Sequence, residues 1–146
     1  VNKTIVIASD HGGFTLKQAL ATALADWGYT VEDLGPDCAD SCDYPVFAAR
    51  AVQRIRDDQS ALGVLVCGTG QGMTMTANRM GVRAALCTNE FLARMAREHN
   101  DARILCLGER VTGQGLALSI LKTFLETGFG GERHQRRIDL MDAVAR

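Results

Sequence analysis

Short apolar runs that alternate with segments of helical spacing constrain this chain more than any other feature. Lys3–Ser9 (KTIVIAS), Thr30–Leu34, Leu62–Val66, Ala84–Cys87 and Arg103–Leu107 (RILCL) are too short for helices. Most are rich in β-branched residues, and glycine or polar residues close them, so they read as buried strands. Between them lie helical stretches. Phe14–Trp27 carries Leu16, Leu20, Ala23, Leu24 and Trp27 on one stripe and stops at Gly28. Asp43-Tyr44-Pro45 opens a helix running to Arg56, with proline in its first turn. Further helices are expected from the turn after Cys67 to Arg79, over Glu90–Glu98, over Thr112–Thr127, and from Arg133 through the basic-headed tail RHQRRIDLMDAVAR. Such alternation predicts an α/β fold: a five-stranded parallel sheet covered on both faces, doubly wound and Rossmann-like, with a C-terminal helix. No repeat or linker divides the sequence, so residues 1–146 read as one domain. The simplest strand order is 2-1-3-4-5, with the ligand crevice between the first and third strands. That order sets Asp10-His11 beside Cys67-Gly68-Thr69-Gly70.

Composition narrows the function classes. A chain of 146 residues with 47% hydrophobic and 23% charged residues can bury roughly 70% of its unfolded surface in one core. Its net charge of −1 offers no electrostatic case for nucleic acid or an anionic membrane, and 5% aromatic residues give bases little to stack on. No apolar run approaches the ~20 residues that span a bilayer, and VNKTIVIASD lacks the apolar region of a signal peptide. Five cysteines, an odd number, fit reduced thiols and a cytoplasmic location.

The stretch Ala61–Arg79 (ALGVLVCGTGQGMTMTANR) concentrates the chemistry. A strand, a glycine-rich turn and a helix start gather free backbone N–H groups around one point, suited to a phosphate or an oxyanion. Cys67 sits at its edge, where a helix N-terminus favours the thiolate. Against that stands the plain alternative, a small buried hydrophobe at a strand end, which is the better account of Cys87 and Cys106. Asp10-His11 is either a capping aspartate beside a loop histidine or a pair facing the crevice, the histidine able to bind an anion or move a proton. Gly68–Gly72 resembles half a dinucleotide fingerprint but does not follow the first strand, so no nucleotide cofactor is expected. Arg133 and Arg137, four apart, share a helix face and could clamp one phosphate, or could be a solvated basic face. His99, closing a helix before the fifth strand, lies away from the strand C-termini and would reach the crevice of a neighbouring subunit. Cys38 and Cys42 make half a zinc site without a second pair, so no metal is expected.

The segments SDHGGF (Ser9–Phe14), DYP (Asp43–Pro45), CGTGQG (Cys67–Gly72), Ala77–Cys87, REHNDARILCLGERV (Arg97–Val111) and RHQRR (Arg133–Arg137) closely resemble the type B ribose-5-phosphate isomerases of the ribose/galactose isomerase family. They occur in the family's order over nearly the whole chain. The resemblance implies metal-free, cofactor-free aldose–ketose isomerisation of a sugar phosphate through an enediolate. It implies three catalytic residues: Cys67 as the base, Thr69 in the turn beside it, and His99 opening the sugar ring. Asp10, His11, Tyr44, Gly68, Gly70, Gln71, Gly72, Asn100, Arg110, Arg133 and Arg137 are then the substrate contacts, the arginines chiefly to phosphate. It also implies a dimer or tetramer whose sites are shared between subunits. Related galactose 6-phosphate isomerases divide these motifs between two chains. This chain carries both sets, which implies a homo-oligomer.

Some positions depart from the family pattern. One branch of the family places a glutamate base just after the glycine turn, where this chain has Met73. The Asn78–Gly81 segment is one residue short, Phe91-Leu92 replaces a Tyr-Ser pair, Glu132 replaces glycine, and the Asp37–Cys42 loop is unusual. These leave tetrose 4-phosphate, allose 6-phosphate and galactose 6-phosphate open beside ribose 5-phosphate. A non-catalytic phosphate-binding module and a redox or metal domain using Cys38 and Cys42 are the rivals from other classes.

Overall fold

Val6 and Ala8 on one side of the first strand, and Ile5 and Ile7 on the other, are all inaccessible to solvent. A strand with both faces apolar must lie inside a sheet sandwiched by helices. The computed structural model describes residues 3–145 and shows that arrangement. Val1, Asn2 and Arg146, which the expected domain span, the leader reading and the tail helix include, lie outside the described residues. The strands are β1 (Thr4–Ser9), β2 (Thr30–Asp33), β3 (Leu62–Cys67), β4 (Ala84–Leu86) and β5 (Ile104–Gly108). The helices are α1 (Phe14–Asp26), α2 (Tyr44–Asp57), α3 (Gln71–Arg79), α4 (Glu90–Glu98), α5 (Gln114–Glu126) and α6 (Arg133–Val144). A single 3-10 turn, His11–Gly13, separates β1 from α1. All pairings are parallel, with Ser9 opposite Val66 and Cys67 opposite Gly108.

The strand order is β2-β1-β3-β5-β4, which corrects the simple 2-1-3-4-5 expectation at its far end. The reason is burial. All five residues of β5 are buried, whereas β4 has three residues, two of them alanine, each only half-buried. The strand with more apolar surface takes the inner position, and the short one takes the edge, where it offers little to an intruding chain. The β1–β3 adjacency, which sets the crevice, is as expected.

Alternation along the strands builds two cores. Ile5, Ile7, Val64, Val66, Leu105 and Leu107 pack against α1, α4 and α5, with Leu20, Ala93 and Phe124 among the helix residues. Val6, Ala8, Leu65, Cys67, Ile104 and Cys106 pack against Phe47, Val52 and Ile55 of α2 and Met73 of α3. Lys17, 1% exposed, is the one lysine inside this frame among the described residues. It holds Asp33 at 2.7 Å and the Pro36 carbonyl at 3.1 Å, so its charge is paired and β2 is tied to α1. The last helix, α6, buries only Ile138 and leaves Leu140, Met141 and Val144 exposed.

Candidate active site

Two loops meet where β1 and β3 end. Gly12 and Gly13 are needed there because a Cβ on Gly13 would stand 2.5 Å from the Val66 carbonyl oxygen, and one on Gly12 would stand 3.3 Å from the Gly68 nitrogen. The first loop can therefore lie against the second only without a side chain at Gly13, and a side chain at Gly12 would press the two loops slightly apart. Asp10, 7% exposed, ends β1; its backbone N–H donates to the Val66 carbonyl and its Oδ1 accepts from Gly13 N–H at 3.2 Å. The capping role weighed from sequence is present, and it fixes the aspartate at the crevice.

The turn after β3 is built on Gly70, whose φ of +82° is left-handed and whose added Cβ would lie 2.5 Å from Leu86 Cδ1. This reversal carries Gly70 back over the strand end, so that its N–H donates to Cys67 Sγ at 3.1 Å. Thr69 Oγ1 accepts from Gln71 N–H at 3.3 Å. Thr74 Oγ1 donates to the Gly70 carbonyl at 2.7 Å and locks the first turn of α3. The N–H groups of Gly68, Thr69 and Gly72 carry no hydrogen bond among the described residues. The turn thus presents a sulfur with one amide donor on it and further amide donors open beside it, at the positive end of a helix.

The loop after β5 closes one side. Glu109 N–H donates to the Cys67 carbonyl and Arg110 N–H to the Gly68 carbonyl, at 2.9 and 3.0 Å. The Arg110 side chain lies across Gly68, its Cδ 3.6 Å from where a Cβ would be. Glu109 Oε1 accepts from Leu16 N–H at 2.7 Å, so a carboxylate sits at the N-terminus of α1 and pins this loop to the first one. Sequence reading missed Glu109; only its place two residues after a strand end hinted at it. On the other side, the Tyr44 ring stands over Gly72, where a Cβ would be 2.5 Å from Tyr44 Cε1. His11 Nδ1 lies 3.2 Å from Cys42 N and 3.1 Å from Cys42 O. The unusual Asp37–Cys42 loop therefore orients this imidazole through its backbone.

The structure brings together Asp10, His11, Tyr44, Cys67, Gly68, Thr69, Gly70, Gln71, Gly72 and Arg110. It does not bring His99, Asn100, Arg133 or Arg137 to them within one chain. His99 caps the C-terminus of α4, and Asn100 lies just before β5, at the opposite edge of the sheet. There the His99 and His134 rings stack at 4.2 Å with 17° between planes, which joins the head of α6, with Arg133 and Arg137, to the end of α4. Desolvation, and next the charges of His99, Arg133 and Arg137, hold His134 below the usual histidine range.

Cys87 and Cys106 lie in the core, at 1% and 0% exposure. Burial pushes the Cys87 and Cys106 thiols up to about 12, which keeps them neutral. Cys38 and Cys42 are free, and among the described residues no group of three or more His, Cys, Asp or Glu side chains gathers.

The sequence matches the Ribose/Galactose Isomerase family over residues 5–141. It is 35% identical over 143 residues to ribose-5-phosphate isomerase B of Escherichia coli K12, covering 97% of this chain and 96% of the relative. The fold superposes with a TM-score of 0.94 on ribose-5-phosphate isomerase B of Clostridium thermocellum, at 45% identity over 97% of this chain and 96% of that one. It superposes at 0.91 on the Mycoplasma genitalium ribose-5-phosphate isomerase B with bound ribulose-5-phosphate, at 41% identity and 97% and 95% coverage. A match along almost the full length, in sequence and in fold alike, leads to one conclusion: the chain belongs to the ribose/galactose isomerase family.

Proposed function

We propose that the chain interconverts ribose 5-phosphate and ribulose 5-phosphate, with Cys67 as the base. The observation that carries this reading is the Gly70 N–H donating to Cys67 Sγ at the head of α3, with Asp10, His11 and Arg110 around it. In the open-chain aldose, the thiolate takes the proton from C2. The electron pair moves into a C1–C2 double bond, and the C1 carbonyl oxygen becomes an enediolate oxygen. Returning the proton to C1, with the C2 hydroxyl proton passing to O1, yields the ketose and restores the thiolate. Open N–H groups of the Gly68–Gly72 turn stabilise the enediolate oxygens where their charge develops. Arg110 offers a guanidinium for the phosphate.

Ring opening and the rest of the phosphate clamp come from a second copy. His99, Asn100, Arg133 and Arg137 of the partner subunit complete the crevice, in a homodimer or a homotetramer. Support comes from the sheet, which separates these residues from Cys67 in one chain. The exposed Leu140, Met141 and Val144 on α6 add apolar surface for that contact. Among the described residues no helix is long and apolar enough to cross a membrane, and five free cysteines suit a reducing cytoplasm.

The test is Cys67→Ala, assayed for ribose 5-phosphate turnover and for binding of the same sugar phosphate. Turnover falls by about 10²–10⁴-fold while binding survives; unchanged turnover refutes the assignment and points to a different base. Cys42 bears on the sugar itself. Its backbone holds His11, and its loop departs from the family pattern, so a panel of four-, five- and six-carbon aldose phosphates measures how far this loop retunes the substrate.

A further inference from the structure

The edge of the sheet opposite Cys67 holds a cavity of about 250 Å³ lined by Arg56, Gln59, Gly81, Val82, Arg83 and Arg103. Three guanidinium groups and no carboxylate line it. Like charges converge there in partly desolvated space, and the acids paired with Arg83 stand outside the lining at 3.6 and 3.8 Å. A second cavity of about 300 Å³ shares Gln59, Arg83 and Arg103 and adds Lys3 and Arg97, against the single acid Asp101.

The arginines are held in place by the backbone. Arg103 Nη2 donates to the carbonyls of Ile55, Asp58 and Ala61 at 3.1, 2.7 and 2.9 Å, where α2 ends. Arg83 Nε donates to the Asn100 carbonyl at 2.9 Å, and its terminal nitrogens stand no closer than 3.6 Å to Asp142 and 3.8 Å to Asp101. The Arg56 guanidinium, lying 3.7 Å from where a Gly81 Cβ would be, has no ion pair or hydrogen bond among the described residues. Arg97, with 8% exposure at the second cavity, keeps a buried Nε without a partner. Two fixed guanidinium groups with N–H donors to spare, and a third unpaired, match the oxygens of a phosphate. Capping of α2 accounts for Arg103 Nη2, and the Asn100 carbonyl and two distant acids account for Arg83, but neither accounts for the Arg56 guanidinium.

We propose that the cavity formed by Arg56, Arg83 and Arg103 is a second anion site, built for a phosphate-class oxyanion and separate from the isomerase crevice. Its distance from the crevice follows from topology. Arg83 and Arg103 precede the first residues of β4 and β5, whereas Cys67 and Arg110 lie at or beyond the C-terminal ends of β3 and β5. Arg83 also holds the Asn100 carbonyl, so a bound anion and the His99–Asn100 turn share one side chain. That coupling rests on the isomerase reading given above; the binding does not.

The test is calorimetric titration of inorganic phosphate and of pyrophosphate into the full chain carrying Arg110→Gln, Arg133→Gln and Arg137→Gln, which removes all three crevice guanidinium groups. One anion per chain still binds. Adding Arg56→Gln weakens it at least fivefold, and Arg56→Lys weakens it less. Tighter binding of pyrophosphate identifies a diphosphate group as the occupant, and equal binding a monophosphate. Absence of binding in the chain that lacks the three crevice arginines, or an affinity indifferent to Arg56→Gln, overturns the site. Because the crevice is disabled in these chains, failure of the isomerase reading leaves the result unaffected. Arg56→Gln in the otherwise unaltered chain keeps basal turnover, which confirms that the variant folds.

Discussion

The two edges of the sheet do opposite things with the backbone. At the C-terminal edge, glycines at 13, 70 and 108 let three loops touch, and the useful groups are N–H donors and one sulfur. At the N-terminal edge, long cationic side chains reach out and are steered by carbonyls, as Arg103 is by those of Ile55, Asp58 and Ala61. The first edge is precise because main chain packs on main chain; the second is charged because side chains lie over helix ends. A symmetric oligomer can use both, by laying the His99 and Arg133 end of one copy over the Cys67 end of another.

Mixing inactive chains breaks or sharpens that comparison most directly. A Cys67→Ala chain and a His99→Ala chain, each low in activity, regain about a quarter of the normal turnover when co-assembled one to one, since half the dimers are mixed and each holds one intact site. Titrating one variant against the other in a turnover assay reads it; no recovery places each site within a single subunit. Next in size is Arg137→Ala. Losing a charge-assisted contact to phosphate, about 1.5–3 kcal/mol, raises KM roughly tenfold or more in steady-state kinetics. Little change would detach α6 from the substrate.

Gly70→Ala probes the glycine-built edge alone. The left-handed φ and the approach to Leu86 Cδ1 cost about 1–3 kcal/mol, read as a lower urea midpoint, whereas Gly113→Ala, with nothing within 4 Å of its Cβ, costs far less. The smallest effect is at His134. Its folded-state pKa lies below the ordinary value of about 6.5, so the unfolded chain binds the proton first as pH falls. The contribution of His134 to stability is therefore complete above that value and declines as acidity increases through the window below it. His134→Gln flattens this part of the urea midpoint against pH.

Much of this was legible in the residues. The alternation of apolar runs with helical stripes gave every strand and helix to within two or three residues, because periodicity and Gly or Pro boundaries are local properties. The β1–β3 crevice followed from the doubly wound pattern. The order of β4 and β5 did not, because which strand lies inside depends on comparing their burial against the whole sheet. The partners of His11 and Leu16, thirty-one and ninety-three residues away in Cys42 and Glu109, were equally out of reach.

By itself the sequence determined a parallel sheet, a thiol at a glycine-rich β-to-α turn, and cationic residues near the C-terminus, since each rests on neighbours in the chain. Only the tertiary structure decided that Gly70 N–H meets the sulfur, that His99 stacks on His134 away from the crevice, and that Arg56, Arg83 and Arg103 converge on one cavity. Those outcomes depend on how strands and loops distant in sequence are stacked, and packing of that kind is a property of the whole fold.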